Sequence, residues 1–284
     1  MPGLDLAIVS CVPSGAGLSS SAAVECSVLL AAAELAGSTT EGDQRRAELA
    51  ALGVRAENDI AGAPTGGMDQ AASLRAVEGD GLLLACVDDC VTQTPLGLEE
   101  LGLSLLVVDS KAPHMLTDGQ YGERRASCER ARELLALSSL RVPVDEETPE
   151  TLPALLEKLP EQTLQRRLRH VVTESWRVRD FVTALADGRP EDAGRLMTAS
   201  HESLRDDYET SVAATDRIVE SSVAARALGA RMTGGGFGGS CVVLVRTDEV
   251  GAVADAVQKA AAEAGGPTPI SNLAHPAAGG HRVR

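Results

Sequence analysis

Apolar positions along this chain fall into short blocks whose period changes from block to block. Residues 4–12, LDLAIVSCV, form a continuous apolar run of strand length and read as a buried strand. The next run, 21–37, is SAAVECSVLLAAAELAG. It is too long for a strand, is rich in Ala and Leu, and closes on a glycine, so it reads as a helix with a C-terminal glycine stop. A second helix, rich in Glu, Arg and Ala, is expected over 41–58. AGAPTGGMDQ (61–70) is a glycine-proline loop. AASLRAV (71–77) and LLLACVDD (82–89) read as two strands joined through Gly79-Asp80-Gly81, a hairpin signal.

Near Pro95 the pattern resets. LSLLVVDS (103–110) is an apolar strand, and a helix is expected over 118–137. A charged, proline-marked connector with one short helix covers 143–160. From 161 to 228 the chain reads as mostly helical, with breaks near Gly188-Arg189-Pro190 and around Asp206. A strand at ALGARMT, the loop GGGFGG, a strand at SCVVLVR, a helix over 248–264 and a tail with one last strand complete the pattern. The fold class is α+β, in two domains, 1–97 and 98–284.

Composition narrows this picture. Aromatic residues make up only 2% of the 284, so the core must be built from Leu, Val and Ala. The formal net charge of −15 argues against nucleic acid and anionic membranes as partners. Any nucleotide site must therefore draw its positive field from backbone N–H groups, a metal or selected Arg and Lys. None of the six cysteines forms a Cys-x-x-Cys pair, and no histidine stands at zinc spacing. Neither a signal peptide nor an 18-residue apolar run is read, and the cytoplasm is the expected location.

Three stretches carry candidate chemistry. In Ser14-Gly15-Ala16-Gly17-Leu18-Ser19-Ser20-Ser21 the glycines let the backbone approach a ligand. The helix start adds N–H donors and the positive dipole end, and serine hydroxyls can bond phosphate or ligate Mg²⁺. No lysine follows, so this is not the Gly-Lys-Ser/Thr phosphate loop. Glu57 and Asp69 are two carboxylates suited to holding a cation and accepting a proton, or else solvated charges. Thr233-Gly-Gly-Gly-Phe-Gly-Gly239 concentrates glycine at an entropic cost that close backbone approach to a ligand or another domain would justify.

Taken in order, these motifs resemble the GHMP kinases, and within them the galactokinases. Pro13 to Ala22 match the middle family motif Pro-x-Gly-x-Gly-Leu-Ser-Ser-Ser-Ala position by position, and ARMTGGGFGGS matches the third. GMDQ around Asp69, the stretch from DSKAPHM to ERAREL around Tyr121, and ASHESLRDDYETS around His201 match galactokinase features. The resemblance implies a two-domain fold, with an incomplete N-terminal part like ribosomal protein S5 domain 2. Its C-terminal domain would be ferredoxin-like with extra helices. It further implies transfer of the γ-phosphoryl of MgATP to the anomeric hydroxyl of α-D-galactose by a monomer. On matching positions, Gly15, Ala16, Gly17, Leu18, Ser19, Ser20 and Ser21 correspond to the ATP phosphate loop. Ser21 and Glu57 correspond to the Mg²⁺ ligands, Asp69 to the catalytic base and Tyr121 to a galactose contact.

Two departures stand out. Ser240 replaces a cysteine common in the third motif, with Cys241 following. The family's front motif, Gly-Arg-x-Asn-Leu-Ile-Gly-Glu-His-x-Asp, which supplies sugar contacts and an arginine, has no counterpart here. The expectation is a galactokinase-type sequence recorded without its front segment, leaving an unpaired sheet edge beside 4–12 and 71–88. The alternatives are a weak or inactive nucleotide-binding relative, or a GHMP kinase for another small substrate. For His201 and the segment after it, a helix boundary capped by Ser200 and Asp206 is expected, with Trp176 in the core.

Overall fold

The structure is a computed structural model, and it describes residues 3–62, 66–112, 119–141 and 151–283. Backbone contacts divide the chain into two units, one of 1–97 with 275–284, the other of 98–274.

The first unit is built on helices. α1 (Ser20–Leu35), α2 (Asp43–Arg55) and α3 (Met68–Arg75) enclose a core of Cys26, Leu30, Leu49, Ala50 and Leu74. A π-helical turn, Ala56–Ile60, extends α2. A hairpin of β1 (Asp80–Ala85) and β2 (Cys90–Pro95) follows, paired from Asp80↔Pro95 to Ala85↔Cys90. Arg75 ties these parts together. Its guanidinium donates to both carboxylate oxygens of Asp43 at 2.8 Å and to the carbonyl of Asp89 at 2.9 Å. The tail returns to this unit through Gly79 N–H to Pro276 O, Gly279 N–H to Ala76 O and Gly280 N–H to Ser73 O.

Three expectations change here. Residues 71–77 are not a strand: most of them lie in α3, where Gln70, Ala71, Leu74 and Arg75 are buried at helical spacing. The hairpin turn accordingly falls at 86–89 rather than at Gly79-Asp80-Gly81. Residues 4–12 form no strand either, and Leu4, Leu6, Ile8 and Val9 are exposed. A strand needs a neighbour to take its N–H and C=O groups, and among the described residues none pairs with this run. The tail residues 275–283, expected with the C-terminal domain, pack with the first unit instead.

The second unit carries a four-stranded antiparallel sheet of order β4-β5-β3-β6. Its strands are β3 (Leu103–Asp109), β4 (Gly229–Met232), β5 (Ser240–Arg246) and β6 (Ile270–Ala274). Helices lie between β3 and β4 and between β5 and β6, so the unit follows the split β-α-β ferredoxin-like plan. The helices before β4 are α4 (Gln120–Leu134), α5 (Thr151–Glu157), α6 (Gln162–Ala186), α7 (Pro190–Ser203) and α8 (Ala213–Ala224). α9 (Val250–Glu263) lies between β5 and β6.

Alternate residues of β3 and β5 (Leu106, Val108; Cys241, Val243, Val245) meet Ile218 and Val219 of α8 and Val253 and Val257 of α9. This two-residue period is what a one-sided sheet needs. A second core forms among α4, α5 and α6 around Leu152, Leu164, Leu168 and Val172, with Trp176 packed against it. α7 meets β4 backbone to backbone: a Cβ on Gly229 would stand 1.8 Å from Gly194 O. Residues 113–118 and 142–150, parts of the expected helix start and connector, lie outside the described residues.

Candidate active site

The glycine-serine loop enters α1 through backbone conformations that few residues accept. Gly15 (φ 74°), Gly17 (φ 66°) and Ser19 (φ 56°) are all left-handed. Glycine adopts this region without strain, while serine there carries some. Ser19 stands at the N-cap of α1, yet its side chain does not cap the helix, and the first turn holds no acidic residue. Its hydroxyl faces the Asp69 carboxylate and favours its charged form. The first turn of α1 thus supplies no carboxylate itself, and its N–H donors stay open to an anion whose charge a cation would share with the carboxylates nearby.

Glu57 comes from the π-helical turn, an insertion that often marks functional sites in helices. It is buried, at 6% exposure. Its Oε1 accepts the Ser21 hydroxyl at 2.8 Å, and its Oε2 accepts the Gln70 amide at 2.8 Å. The same amide nitrogen donates to Glu25 Oε2 at 3.0 Å. Asp69 lies in the first turn of α3. Burial raises its carboxyl above the usual range, the Glu57 charge adds to this, and the Ser19 hydroxyl opposes it. Burial raises Glu25 in the same direction, with Gln70 opposing and Glu57 adding. Three carboxylates therefore share one neighbourhood at the start of α1.

The structure thus brings Ser19, Ser21, Glu57 and Asp69 together from elements up to 50 residues apart in sequence. Tyr121 lies in the second unit, half-buried in the first turn of α4. Glu25 and Gln70 were not singled out from the sequence. The available signal was that Glu25 stands four residues beyond Ser21 on α1 and Gln70 directly follows Asp69.

The third motif is held by its own unit. Phe237 N–H donates to Thr210 O at 2.7 Å, and Ser110 N–H to Gly239 O at 3.1 Å. Gly236 has φ 87°, and a Cβ there would stand 2.5 Å from Thr210 O. Close backbone approach within the unit therefore accounts for at least this glycine. Arg124 stands over the Phe237 ring, 5.7 Å from its centroid.

His201 is not a helix boundary, since α7 runs through it to Ser203 and a π-helical turn, Leu204–Tyr208, follows. Its Nδ1 accepts the Met232 N–H at 3.2 Å, so Nε2 carries the proton toward Asp216 at 3.0 Å. The histidine joins α7, β4 and α8. The expected caps have other partners: Ser200 bonds Glu174, and Asp206 pairs with Arg205.

The sequence matches the GHMP kinases N terminal domain over residues 2–76 and the GHMP kinases C terminal domain over 181–263. The two-domain fold is that of a GHMP kinase. A galactokinase of Streptomyces coelicolor is 44% identical over the whole chain, which spans 71% of that relative. A galactokinase of Mycobacterium tuberculosis is 43% identical over the whole chain and 76% of its own length. The crystal structure of Lactococcus lactis galactokinase complexed with galactose superposes with a TM-score of 0.86 at 31% identity, over 94% of this chain and 68% of that one. The crystal structure of L. major mevalonate kinase in complex with R-mevalonate shares the fold at 18% identity and a TM-score of 0.57, over 91% of this chain and 66% of that one. The chain belongs to the galactokinase family of the GHMP kinases.

Proposed function

We propose that this chain transfers the γ-phosphoryl group of ATP to the C1 hydroxyl of α-D-galactose, giving galactose 1-phosphate and ADP. The observation that carries the reading is the gathering of Ser21, Glu57 and Asp69 at the start of α1, beside a loop rich in left-handed backbone. In this reading Gly15, Ala16, Gly17, Leu18, Ser19, Ser20 and Ser21 hold the ATP phosphates. The sugar C1 oxygen bonds to the γ-phosphorus, the bond to the β–γ bridging oxygen breaks, and the hydroxyl proton passes to Asp69. A carboxylate whose proton affinity is raised by burial is a stronger base than one in water.

Mg²⁺ fits the oxygen donors present. Ser21 and Glu57 offer a hydroxyl and a carboxylate in mutual contact at 2.8 Å, inside an acidic neighbourhood that a cation would offset. Among the described residues no three His, Cys, Asp or Glu side chains converge as a self-sufficient metal site. A small, strongly hydrated cation held by few protein oxygens and by substrate phosphates matches that arrangement. Bound there, Mg²⁺ supplies charge neutralisation to the phosphates.

ADP release by the 284-residue protein, with MgATP and a panel of galactose, mevalonate and homoserine, tests the reading. Galactose-dependent release is expected. Nucleotide binding with no sugar-stimulated release, or preference for another member of the panel, refutes it. Tyr121→Phe is expected to raise the KM for galactose about tenfold with kcat held, the loss of one hydrogen bond.

A further inference from the structure

We propose that Gln70 is a positioning residue for the cation ligand Glu57, seated by Gly53 and anchored by Glu25; this rests on the reading of Glu57 given above. Gln70 is fully buried, at 0% exposure. Its amide nitrogen donates to Glu57 Oε2 at 2.8 Å and to Glu25 Oε2 at 3.0 Å. Carboxylates only accept, so the amide must present its two N–H groups to them and turn its carbonyl away. That carbonyl, Gln70 Oε1, is buried with no hydrogen-bond partner among the described residues.

A buried, unpaired carbonyl is unfavourable, and an apolar side chain of the same length would avoid it. An apolar side chain would, however, leave two neighbouring carboxylates with no donor between them. The glutamine therefore serves its neighbours at its own cost.

The effect on Glu57 is geometric. Oε1 is held by the Ser21 hydroxyl and Oε2 by Gln70, so the plane of the carboxylate is fixed from both sides. Glu25, half-buried four residues beyond Ser21 on α1, holds the far side of the amide and keeps Gln70 from rotating away. Space for this comes from α2. A Cβ on Gly53 would stand 3.0 Å from Gln70 Cγ, 3.6 Å from Leu29 Cδ1 and 3.7 Å from Glu25 Oε2. Glycine inside a helix is unfavourable relative to alanine. Here it leaves the room Gln70 needs to reach both carboxylates. Partners that orient a metal ligand commonly change metal affinity 10- to 100-fold when removed.

The test measures Mn²⁺ affinity directly, by electron paramagnetic resonance, on the 284-residue protein with the β,γ-imido analogue of ATP. Analogue affinity in excess EDTA and the melting temperature are recorded in parallel. Gln70→Met is expected to weaken Mn²⁺ binding roughly 10- to 100-fold and leave metal-free analogue affinity within about twofold. Glu25→Gln, which keeps an oxygen acceptor for the Gln70 amide, is expected to stay within about threefold of the unmodified protein, whereas Glu25→Ala is not. Gly53→Ala is expected to weaken Mn²⁺ binding by displacing Gln70 without removing a polar group, and it carries the question if Gln70→Met does not fold.

Glu57→Ala separates the two readings. Loss of Mn²⁺ in Glu57→Ala, with Gln70→Met or a normally melting Gly53→Ala binding Mn²⁺ as tightly as the unmodified protein, overturns the positioning role alone. Unchanged Mn²⁺ affinity in Glu57→Ala removes the cation role of Glu57 and the present inference with it. An intact galactose-kinase assay beside either result leaves the proposed reaction standing.

Discussion

Asp69→Asn is expected to separate catalysis from stability. The substitution keeps the size of the side chain and one oxygen acceptor facing Ser19. It removes the charge and the base. A positioned general base contributes about 10²- to 10⁴-fold to rate, or about 2.7–5.4 kcal/mol of barrier at 1.36 kcal/mol per decade. The coupled ADP-release assay with saturating galactose should therefore show kcat falling by at least two orders of magnitude. ATP affinity by calorimetry should hold within a few-fold, since the phosphate loop is untouched.

Stability should move the other way. Burial, with the Glu57 charge adding to it, raises the Asp69 carboxyl in the folded protein above its ordinary value. A raised carboxyl means the native state binds that proton more tightly than the unfolded chain. The resulting penalty is absent below the unfolded value, grows as pH rises through the folded one, and is complete above it. Above the folded value the unmodified protein carries the whole penalty and Asp69→Asn none of it. Urea unfolding should find the variant equally or more stable at pH 7, with the difference closing as the pH falls below the ordinary aspartate range. A variant that keeps kcat within tenfold, or that is less stable at pH 7 by more than about 1 kcal/mol, refutes the assignment.

Three further outcomes are expected. Gly236→Ala, with φ 87° and a Cβ 2.5 Å from Thr210 O, should cost roughly 2–5 kcal/mol in urea unfolding through left-handed strain and overpacking; a loss below 1 kcal/mol contradicts the packing described. His201→Ala leaves the buried Met232 N–H without its acceptor and Asp216 without its imidazole, and should cost roughly 3–5 kcal/mol, with a double-mutant cycle to Asp216→Asn recovering part of it. Thiol labelling of the native protein should modify Cys11, Cys86 and Cys90, which are exposed, and spare Cys26 and Cys241. Burial pushes the Cys26 thiol up to about 11, with the Glu25 charge adding to it, and drives Cys241 upward as well; fast labelling of either would contradict their burial.

The phosphate loop and the third motif were legible because their chemistry is local. A glycine needed at positive φ shows in sequence whatever surrounds it, and Gly15, Gly17 and Gly236 all take that conformation. The strands LSLLVVDS and SCVVLVR were legible because their apolar runs are long and bounded by turn residues. AASLRAV was misread because seven residues of mixed polarity satisfy either period. Burial of Gln70, Ala71, Leu74 and Arg75 on one side decided for a helix. LDLAIVSCV has strand composition, but composition supplies no ladder, and among the described residues no neighbour completes one.

By itself the sequence determined the class of the chain and named Ser21, Glu57 and Asp69 as the residues to watch, since ordered motifs survive without their surroundings. The tertiary structure alone decided which of them meet. Ser21 and Glu57 are 36 residues apart and Gln70 and Glu25 are 45 apart, yet their contacts are 2.8 Å and 3.0 Å. It also decided that Gly53 matters, as a missing Cβ has meaning only beside the atoms it would displace. Hydrogen bonding and exclusion act within a few ångströms of space, and distance along the chain does not encode them.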